Sequence, residues 1–277
     1  MFKDILICFN NHNLIDNTVE AAAKFAVQQK SRLTGLSIKN DSASHYSTYE
    51  YIPAELINQV VEEEKKRLAQ TKDSFLRITD RYDCTTNWYS MAESEDPLRV
   101  MFYTDLICVG HDKQSANNLF DGSVFANHVL LETGRPLMLI PSSWNGDRIG
   151  GNILLAWNES RECVRAMHEA MPVIENANRV DVVSVNRTFD NESDQLAKGI
   201  EISQYLAHRE VNCQLHHCKT TSSSPHVGQL IMEKAKELDS DLIVMGGYSH
   251  SRLRELFIGG VTRELCNNSN VPLFLAH

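Results

Sequence analysis

Short apolar runs recur in the same order in the two halves of the chain. The run Asp4–Asn10 (DILICFN) matches Asn152–Asn158 (NILLAWN) at an offset of 148 residues, and Leu36–Ile38 matches Val183–Val185 at an offset of 147. Each run is continuous rather than alternating and is rich in Ile, Leu and Val. That pattern is typical of parallel strands buried on both faces.

Two further pairs of runs complete the repeat. Thr104–Gly110 (TDLICVG) matches Ser240–Gly246 (SDLIVMG), and Pro136–Pro141 matches Pro272–His277, both at an offset of 136 residues. The fall in offset indicates about twelve additional residues in the middle of the first half. The sequence therefore predicts an internal duplication with a domain at residues 1–147 and another at 148–277.

Helical periodicity separates the apolar runs. Apolar stripes at a spacing of three to four residues predict helices at Asn17–Gln29, Pro53–Leu76, Cys163–Ile174, Asp194–Arg209 and Pro225–Leu238. Strands that alternate with helices favour a doubly wound α/β sheet in each half. Where the second half has the helix at Pro225–Leu238, the first half has only Leu98–Tyr103, so we expect a shortened helix there.

The segment Met245–Leu265 (MGGYSHSRLRELFIGGVTREL) is the candidate for ligand chemistry. It follows the fourth strand of the second half, and glycines flank it as Gly246-Gly247 and Gly259-Gly260. Glycines let backbone N–H groups approach an anion, and a helix N-terminus adds aligned donors. In open α/β sheets, ligands bind at the carboxyl ends of the strands. A phosphate-bearing ligand is one interpretation; a tight turn needed only for backbone geometry is the other.

The paired repeats, the DLIVMG strand, the loop SRLRELFIGGVTREL and the final PLFL strand together resemble a tandem universal stress protein. The resemblance implies that each half is a five-stranded, Rossmann-like α/β domain of the adenine nucleotide alpha hydrolase-like type. It also implies ATP binding through a motif G-x-x-G-x9-G-[S/T], with an acidic residue at the end of the first strand. Members of the family commonly dimerise through the last strand.

The family motif maps onto the second half position by position. Gly246 and Gly259 match its first and third glycines, with Ser249 in place of the second and Gly260 in place of the Ser or Thr. Asn158 replaces the first-strand acid. The resemblance thus implies a nucleotide-binding set consisting of Asn158, Val185, Gly246, Gly247, Ser249, His250, Gly259, Gly260, Val261 and Thr262.

The first half keeps a poorer version of this motif. Gly110 and Gly122-Ser123 remain, but the spacing is one residue short, Lys113 occupies the second glycine position, and Asn10 replaces the acid. We therefore expect a nucleotide to bind in the second half.

Cysteines and histidines cluster on the probable third strand of the second half. Cys213, His216, His217 and Cys218 are residue types that bind zinc, but alternation sends Cys213 and His217 to one face and the others to the opposite face. One strand cannot close a tetrahedral site from both faces. We therefore expect these residues to be structural and predict no metal site.

Charge and cysteine content limit the classes of partner and compartment. The chain has 27 Lys and Arg against 36 Asp and Glu, which argues against a nucleic-acid partner. Seven cysteines without a C-x-x-C pair indicate a reducing compartment, and the longest stretches without charge are shorter than a membrane span. We expect a cytoplasmic protein that does not interact with membranes, as a homo-oligomer or an intramolecular pseudo-dimer through its last strands.

The sequence is compatible with three functional hypotheses. The chain is a regulatory stress-response protein that binds an adenine nucleotide, a nucleotide-free interaction scaffold, or a slow ATP hydrolase. Hydrolysis would need a placed water, a base and usually Mg²⁺ ligands. The sequence identifies no catalytic residue and no ligand for Mg²⁺, so enzymatic activity is at most weak.

Overall fold

A computed structural model provides the structure of the chain at residues 1–10, 16–39, 53–111, 122–187, 192–220, 227–247 and 260–277. We refer to residues 1–147 as the N-terminal half and to residues 148–277 as the C-terminal half.

The N-terminal half alternates strands with helices, as its apolar pattern predicts. Its strands are β1 (Asp4–Asn10), β2 (Arg32–Lys39), β3 (Thr86–Ala92), β4 (Leu106–His111) and β5 (Leu137–Pro141). Its helices are α1 (Asp16–Gln29), α2 (Ala54–Asp80), α3 (Leu98–Met101) and α4 (Gly122–Thr133).

The C-terminal half repeats this order. Its strands are β6 (Asn152–Ala156), β7 (Arg179–Arg187), β8 (Cys213–Thr220), β9 (Leu242–Gly246) and β10 (Leu273–Ala276). Its helices are α5 (Arg161–Glu169), α6 (Met171–Ile174), α7 (Glu192–Ala207), α8 (Val227–Glu237) and α9 (Gly260–Asn268). The helix predicted at Cys163–Ile174 is divided into α5 and α6 at Ala170.

The prediction of a shortened helix in the N-terminal half is confirmed. Helix α3 has four residues, whereas α8, its counterpart, has eleven. The difference leaves less helical cover over the part of the sheet that the N-terminal half forms.

In the described part of the chain, the strands form one continuous sheet in the order β3-β2-β1-β4-β5-β10-β9-β6-β7-β8. Pairing is parallel within each half and antiparallel between β5 and β10, where Phe274 pairs with Met138. The predicted contact between the last strands of the two halves is therefore present within one chain.

Two apolar clusters cover the two faces of this sheet. One includes Phe25 of α1 and Met167 of α5, and the other includes Leu130 of α4 and Ile231 of α8. Each cluster extends through both halves, so burial of apolar area stabilises the two repeats as one packed unit. No helix within the described ranges combines the length and the hydropathy that a membrane crossing requires.

Candidate functional site

A cavity of about 180 Å³ opens at the carboxyl ends of β6, β7 and β9. Helices α8 and α9 close it on one face of the sheet, and its wall includes Asn158, Val183, Val185, Met245, Val261 and Thr262. Most of these side chains are aliphatic, so the cavity offers an apolar surface with a few polar groups at its mouth. Binding sites in open α/β sheets have this position and this composition.

Asn158 lies at the mouth of this cavity, just after β6. Its Oδ1 accepts a hydrogen bond from the N–H of Ser160 at 3.0 Å, and the Ser160 hydroxyl in turn accepts one from the N–H of Cys163 at 3.1 Å. Ser160 thereby caps the N-terminus of α5. Asn158 is solvent-exposed, and its side-chain NH₂ group donates to no residue that the structure describes.

Thr262 and Gly260 occupy the first turn of α9. The Thr262 side chain is 4% exposed and lines the cavity, and its hydroxyl makes no hydrogen bond within the described ranges. Gly260 begins the helix, and a Cβ added there would meet nothing within 4 Å. The N-terminus of α9 therefore presents unfilled space and backbone donors next to a buried hydroxyl, an arrangement that favours an anion.

The two glycines after β9 have packing roles. A Cβ on Gly246 would lie 2.5 Å from the backbone nitrogen of Cys163, so glycine lets α5 approach the end of the strand. A Cβ on Gly247 would lie 2.8 Å from Cδ2 of Leu130, a residue of α4 in the other half. Gly246 also lines the cavity, whereas Gly247 is buried against the N-terminal half and does not.

Cys163 lies between α5 and the end of β6. Its thiol donates to the carbonyl oxygen of Ala156 at 3.0 Å, and burial raises the pKa of the thiol to about 11. It therefore remains protonated at neutral pH and has a packing role.

Of the remaining residues in the sequence-based set, Ser249, His250 and Gly259 lie outside the described residues. The structure thus brings together Asn158, Val185, Gly246, Gly260, Val261 and Thr262 at the end of the sheet, with the first turn of α9 beside the cavity.

The strand-three cluster has the alternation that the sequence predicts. Cys213 packs with the cluster on one face, and Cys218 packs with the cluster on the other. His216 contacts Asp181 through Nε2 at 2.8 Å, and Nδ1 of His217 lies 2.8 Å from the hydroxyl of Ser184. In the described part of the chain, no three His, Cys, Asp or Glu side chains are grouped as metal ligands would be.

Sequence reasoning missed the buried carboxylate of Asp181. This β7 side chain is fully buried; its Oδ2 accepts a hydrogen bond from Nε of Arg179 at 2.7 Å, while its Oδ1 contacts His216. Arg179 also donates to the carbonyl of Leu238, just beyond the end of α8. The visible signal was a charged residue inside an otherwise apolar strand, RVDVVSV.

In the N-terminal half, α3 is too short to cover the sheet as α8 does in the C-terminal half. Leu98 and Val100 pack against the apolar cluster on this face of the sheet, together with Met91 of β3. A Cβ on Gly110 would lie 2.9 Å from the hydroxyl oxygen of Thr18, so this glycine, like Gly246, permits close approach of a helix to a strand. Lys113 lies outside the described residues, as do the side chains of Asn10 and Ser123.

Comparison with known proteins identifies the family of the C-terminal half. Residues 151–277 match the model of the universal stress protein family. No curated protein matches the sequence. The expected family membership is confirmed for this half and remains a prediction for residues 1–147.

Solved structures resemble the whole chain in fold. A universal stress protein from Archaeoglobus fulgidus DSM 4304 aligns with a TM-score of 0.72 and 14% identity, over 99% of this chain and 95% of that chain. A functionally unknown protein from Pseudomonas aeruginosa PAO1 aligns with a TM-score of 0.59 and 15% identity, over 99% and 92% of the two chains. Residues 151–277 therefore form a universal stress protein domain, within a chain whose full length has the Rossmann-like α/β fold of these structures.

Proposed function

We propose that the C-terminal half binds an adenine nucleotide, ATP, and that the protein acts as a regulatory stress-response protein whose state depends on that nucleotide. The observation that carries the proposal is the cavity of about 180 Å³ at the carboxyl ends of β6, β7 and β9. Its volume suits a purine base, while a ribose and phosphates would extend from its mouth. The family resemblance of residues 151–277 supports the same ligand class.

Each part of the ligand has a partner among the described residues. The base packs between Val183 and Val185 on the sheet side and Val261 on the helix side, where burial of apolar area favours it. Asn158 at the mouth donates to a ribose hydroxyl. The phosphates lie at the N-terminus of α9, whose partial positive charge stabilises an anion.

Nucleotide binding alone distinguishes this function from that of a nucleotide-free scaffold. The described residues that line the cavity include no Asp, Glu, His or Lys to act as a base for water activation. The site therefore supports binding and a change of conformation or partner rather than rapid hydrolysis.

Titration calorimetry with ATP tests the proposal. Wild-type protein should bind ATP, and Val185→Phe should abolish the heat of binding because the larger ring fills the cavity. The matched control is Val27→Phe, the same change at a site on α1 where the side chain is 44% exposed. Circular dichroism melting of both variants verifies that they fold.

The other outcomes are equally informative. Absence of binding by wild-type protein would favour the scaffold, and unchanged binding by Val185→Phe would place the nucleotide elsewhere. Release of phosphate in proportion to the amount of ATP bound would favour the slow hydrolase.

A further inference from the structure

A second cavity, of about 320 Å³, lies in the N-terminal half at the amino ends of β1, β2 and β3. Helix α3 and the loop before β4 border it on the same face of the sheet as α4. Its lining includes Arg32, Thr34, Tyr89, Arg99 and Tyr103. This cavity is at the opposite strand ends from a family nucleotide site, and the inference does not depend on the proposed function.

The internal repeat gives this cavity a counterpart in the C-terminal half. The offset of 147 residues between β2 and β7 aligns Arg32 with Arg179 and Thr34 with Asp181. Strand register extends the match to the edge strands, since Leu36 pairs with Tyr89 as Val183 pairs with His216. The two locations are thus equivalent positions in the two repeats.

In the C-terminal half, a carboxylate of the protein fills this location. Asp181 has no exposed surface and is held by Arg179 at 2.7 Å and by His216 at 2.8 Å. Arg179 also fixes the end of α8 through the carbonyl of Leu238. In the C-terminal repeat, the basic side chains at this location therefore bind the carboxylate of Asp181.

In the N-terminal half, the carboxylate is missing. Thr34 takes the place of Asp181, and the four-residue α3 replaces the eleven-residue α8, so space opens where the second repeat is packed. Thr34 is 5% exposed, and its hydroxyl makes no hydrogen bond to a described residue. A largely buried hydroxyl at a cavity wall is a hydrogen-bonding group that lacks its partner.

The charges around the cavity favour a single anion. Arg32 donates to Asp4 through Nε at 2.7 Å, so these two lining charges neutralise each other. Arg99 lines the cavity, and no described residue pairs with its guanidinium. One positive charge is thus left for a ligand.

Two tyrosines form part of the remaining wall. Tyr89 is 44% exposed and Tyr103 is 85% exposed, and both line the cavity. Aromatic rings that face solvent at a cavity offer a planar ligand a surface on which to pack.

We infer that this cavity binds a small aromatic monocarboxylic acid. The ligand carboxylate takes the place that the Asp181 side chain occupies in the second repeat, pairs with Arg99 and accepts a hydrogen bond from Thr34. Guanidinium–carboxylate pairs are among the stronger charge-assisted hydrogen bonds, because both groups are planar and can form two parallel hydrogen bonds. The ring of the ligand packs against Tyr89 and Tyr103.

Ligand-observed NMR with benzoate as the probe tests this inference on the full chain. Benzoate should show saturation transfer and a titratable affinity, and benzamide, which has the same shape without the charge, should bind at least tenfold more weakly. Arg99→Gln should weaken benzoate binding at least tenfold. The matched control is Arg161→Gln, a change at a guanidinium that is 94% exposed in the other half.

A second variant uses the internal repeat itself. Thr34→Asp installs the carboxylate of the C-terminal repeat and should eliminate benzoate binding, because the new side chain pairs with Arg99 in the place of the ligand. Melting of this variant shows whether it folds, and Thr34→Val removes the hydroxyl without changing the shape. The inference is overturned by equal binding of benzoate and benzamide, by full affinity in Arg99→Gln, or by absence of benzoate binding to the wild-type chain.

Discussion

The imidazole Nε2 of His216 lies 2.8 Å from Oδ1 of Asp181, and the carboxylate has no exposed surface. Asp181→Ala should lower the free energy of unfolding by about 3 kcal/mol, because Arg179 and His216 lose their buried partner. Urea denaturation followed by circular dichroism measures the change.

The matched control for this prediction is Asp4→Ala. Asp4 pairs with Arg32 at the equivalent end of β1, but both side chains are partly exposed, at 32% and 52%. Exposed pairs contribute at most about 1 kcal/mol. Equal destabilisation by the two variants would contradict a special role for the buried carboxylate.

Gly246→Ala should destabilise the protein through overpacking. The new Cβ would lie 2.5 Å from the backbone nitrogen of Cys163 and 2.6 Å from the carbonyl carbon of Glu162, and backbone atoms cannot move aside as a side chain does. A loss of about 1 to 3 kcal/mol is expected in urea denaturation. Gly260→Ala, with no atom within 4 Å of the new Cβ, is the control and should remain near wild-type stability.

Gly260→Ser should tighten ATP binding if the proposed function holds. The new side chain enters open space at the N-terminus of α9 and restores the hydroxyl that the family motif has at this position. One hydrogen bond to a charged phosphate contributes about 1.5 to 3 kcal/mol, which corresponds to at least a tenfold gain in affinity. Calorimetry on Gly260→Ser and Gly260→Ala separates the hydroxyl from the added carbon; equal affinities would place the phosphates elsewhere.

Separate expression of residues 1–147 and 148–277 should expose the edges of β5 and β10, which are hydrogen-bonded to each other in the intact chain. Unpaired edges recruit further strands, so each half should be a dimer or aggregate in light scattering. The intact chain provides the reference for the same measurement. Two monomeric, soluble halves would show that the antiparallel contact adds little stability.

Thiol labelling at pH 8 should divide the cysteines by burial. Cys8, Cys108, Cys163 and Cys266 are buried, and burial raises the pKa of Cys108 to about 12 and that of Cys163 to about 11. Thiolates are the reactive form, so these side chains should label only after unfolding. Mass spectrometry should find early label at Cys84, Cys213 and Cys218, at rates below that of a free thiol because burial raises their pKa also. Early label at Cys108 would contradict the packing around β4.

Much of the fold could be predicted from the sequence because buried parallel strands have continuous apolar runs. The contact between the last strands of the two halves, predicted from their apolar runs and from the family resemblance, is present as the pairing of β5 with β10. The lack of a helical pattern after Pro97 correctly predicted the short α3. Helix boundaries were predicted less accurately. The periodic segment Cys163–Ile174 predicted one helix, but the structure has two, α5 and α6, which meet at Ala170.

The site could be predicted only in part. The position of Asn158, Gly246 and Thr262 at one end of the sheet follows from strand order, whereas the cavity itself depends on how α8 packs over β7. The contact between Asp181 and His216 joins residues 35 apart in sequence and depends on strand register, which an apolar pattern does not reveal. The N-terminal cavity was not predicted, because a threonine within a strand carries no signal of a ligand site. Thr34 becomes informative only when its counterpart, Asp181, is known to be a buried carboxylate.

The antiparallel contact between β5 and β10 determines where the two proposed ligands lie. Because strand direction reverses there, the amino ends of β2 and the carboxyl ends of β7 share one rim of the continuous sheet, with six strands between them. At a strand spacing of about 4.8 Å, the separation along the sheet is about 34 Å. No small molecule can bridge that distance, so a nucleotide and an organic acid would occupy separate sites, and any coupling between the two would pass through the hydrogen-bonded strands that lie between them.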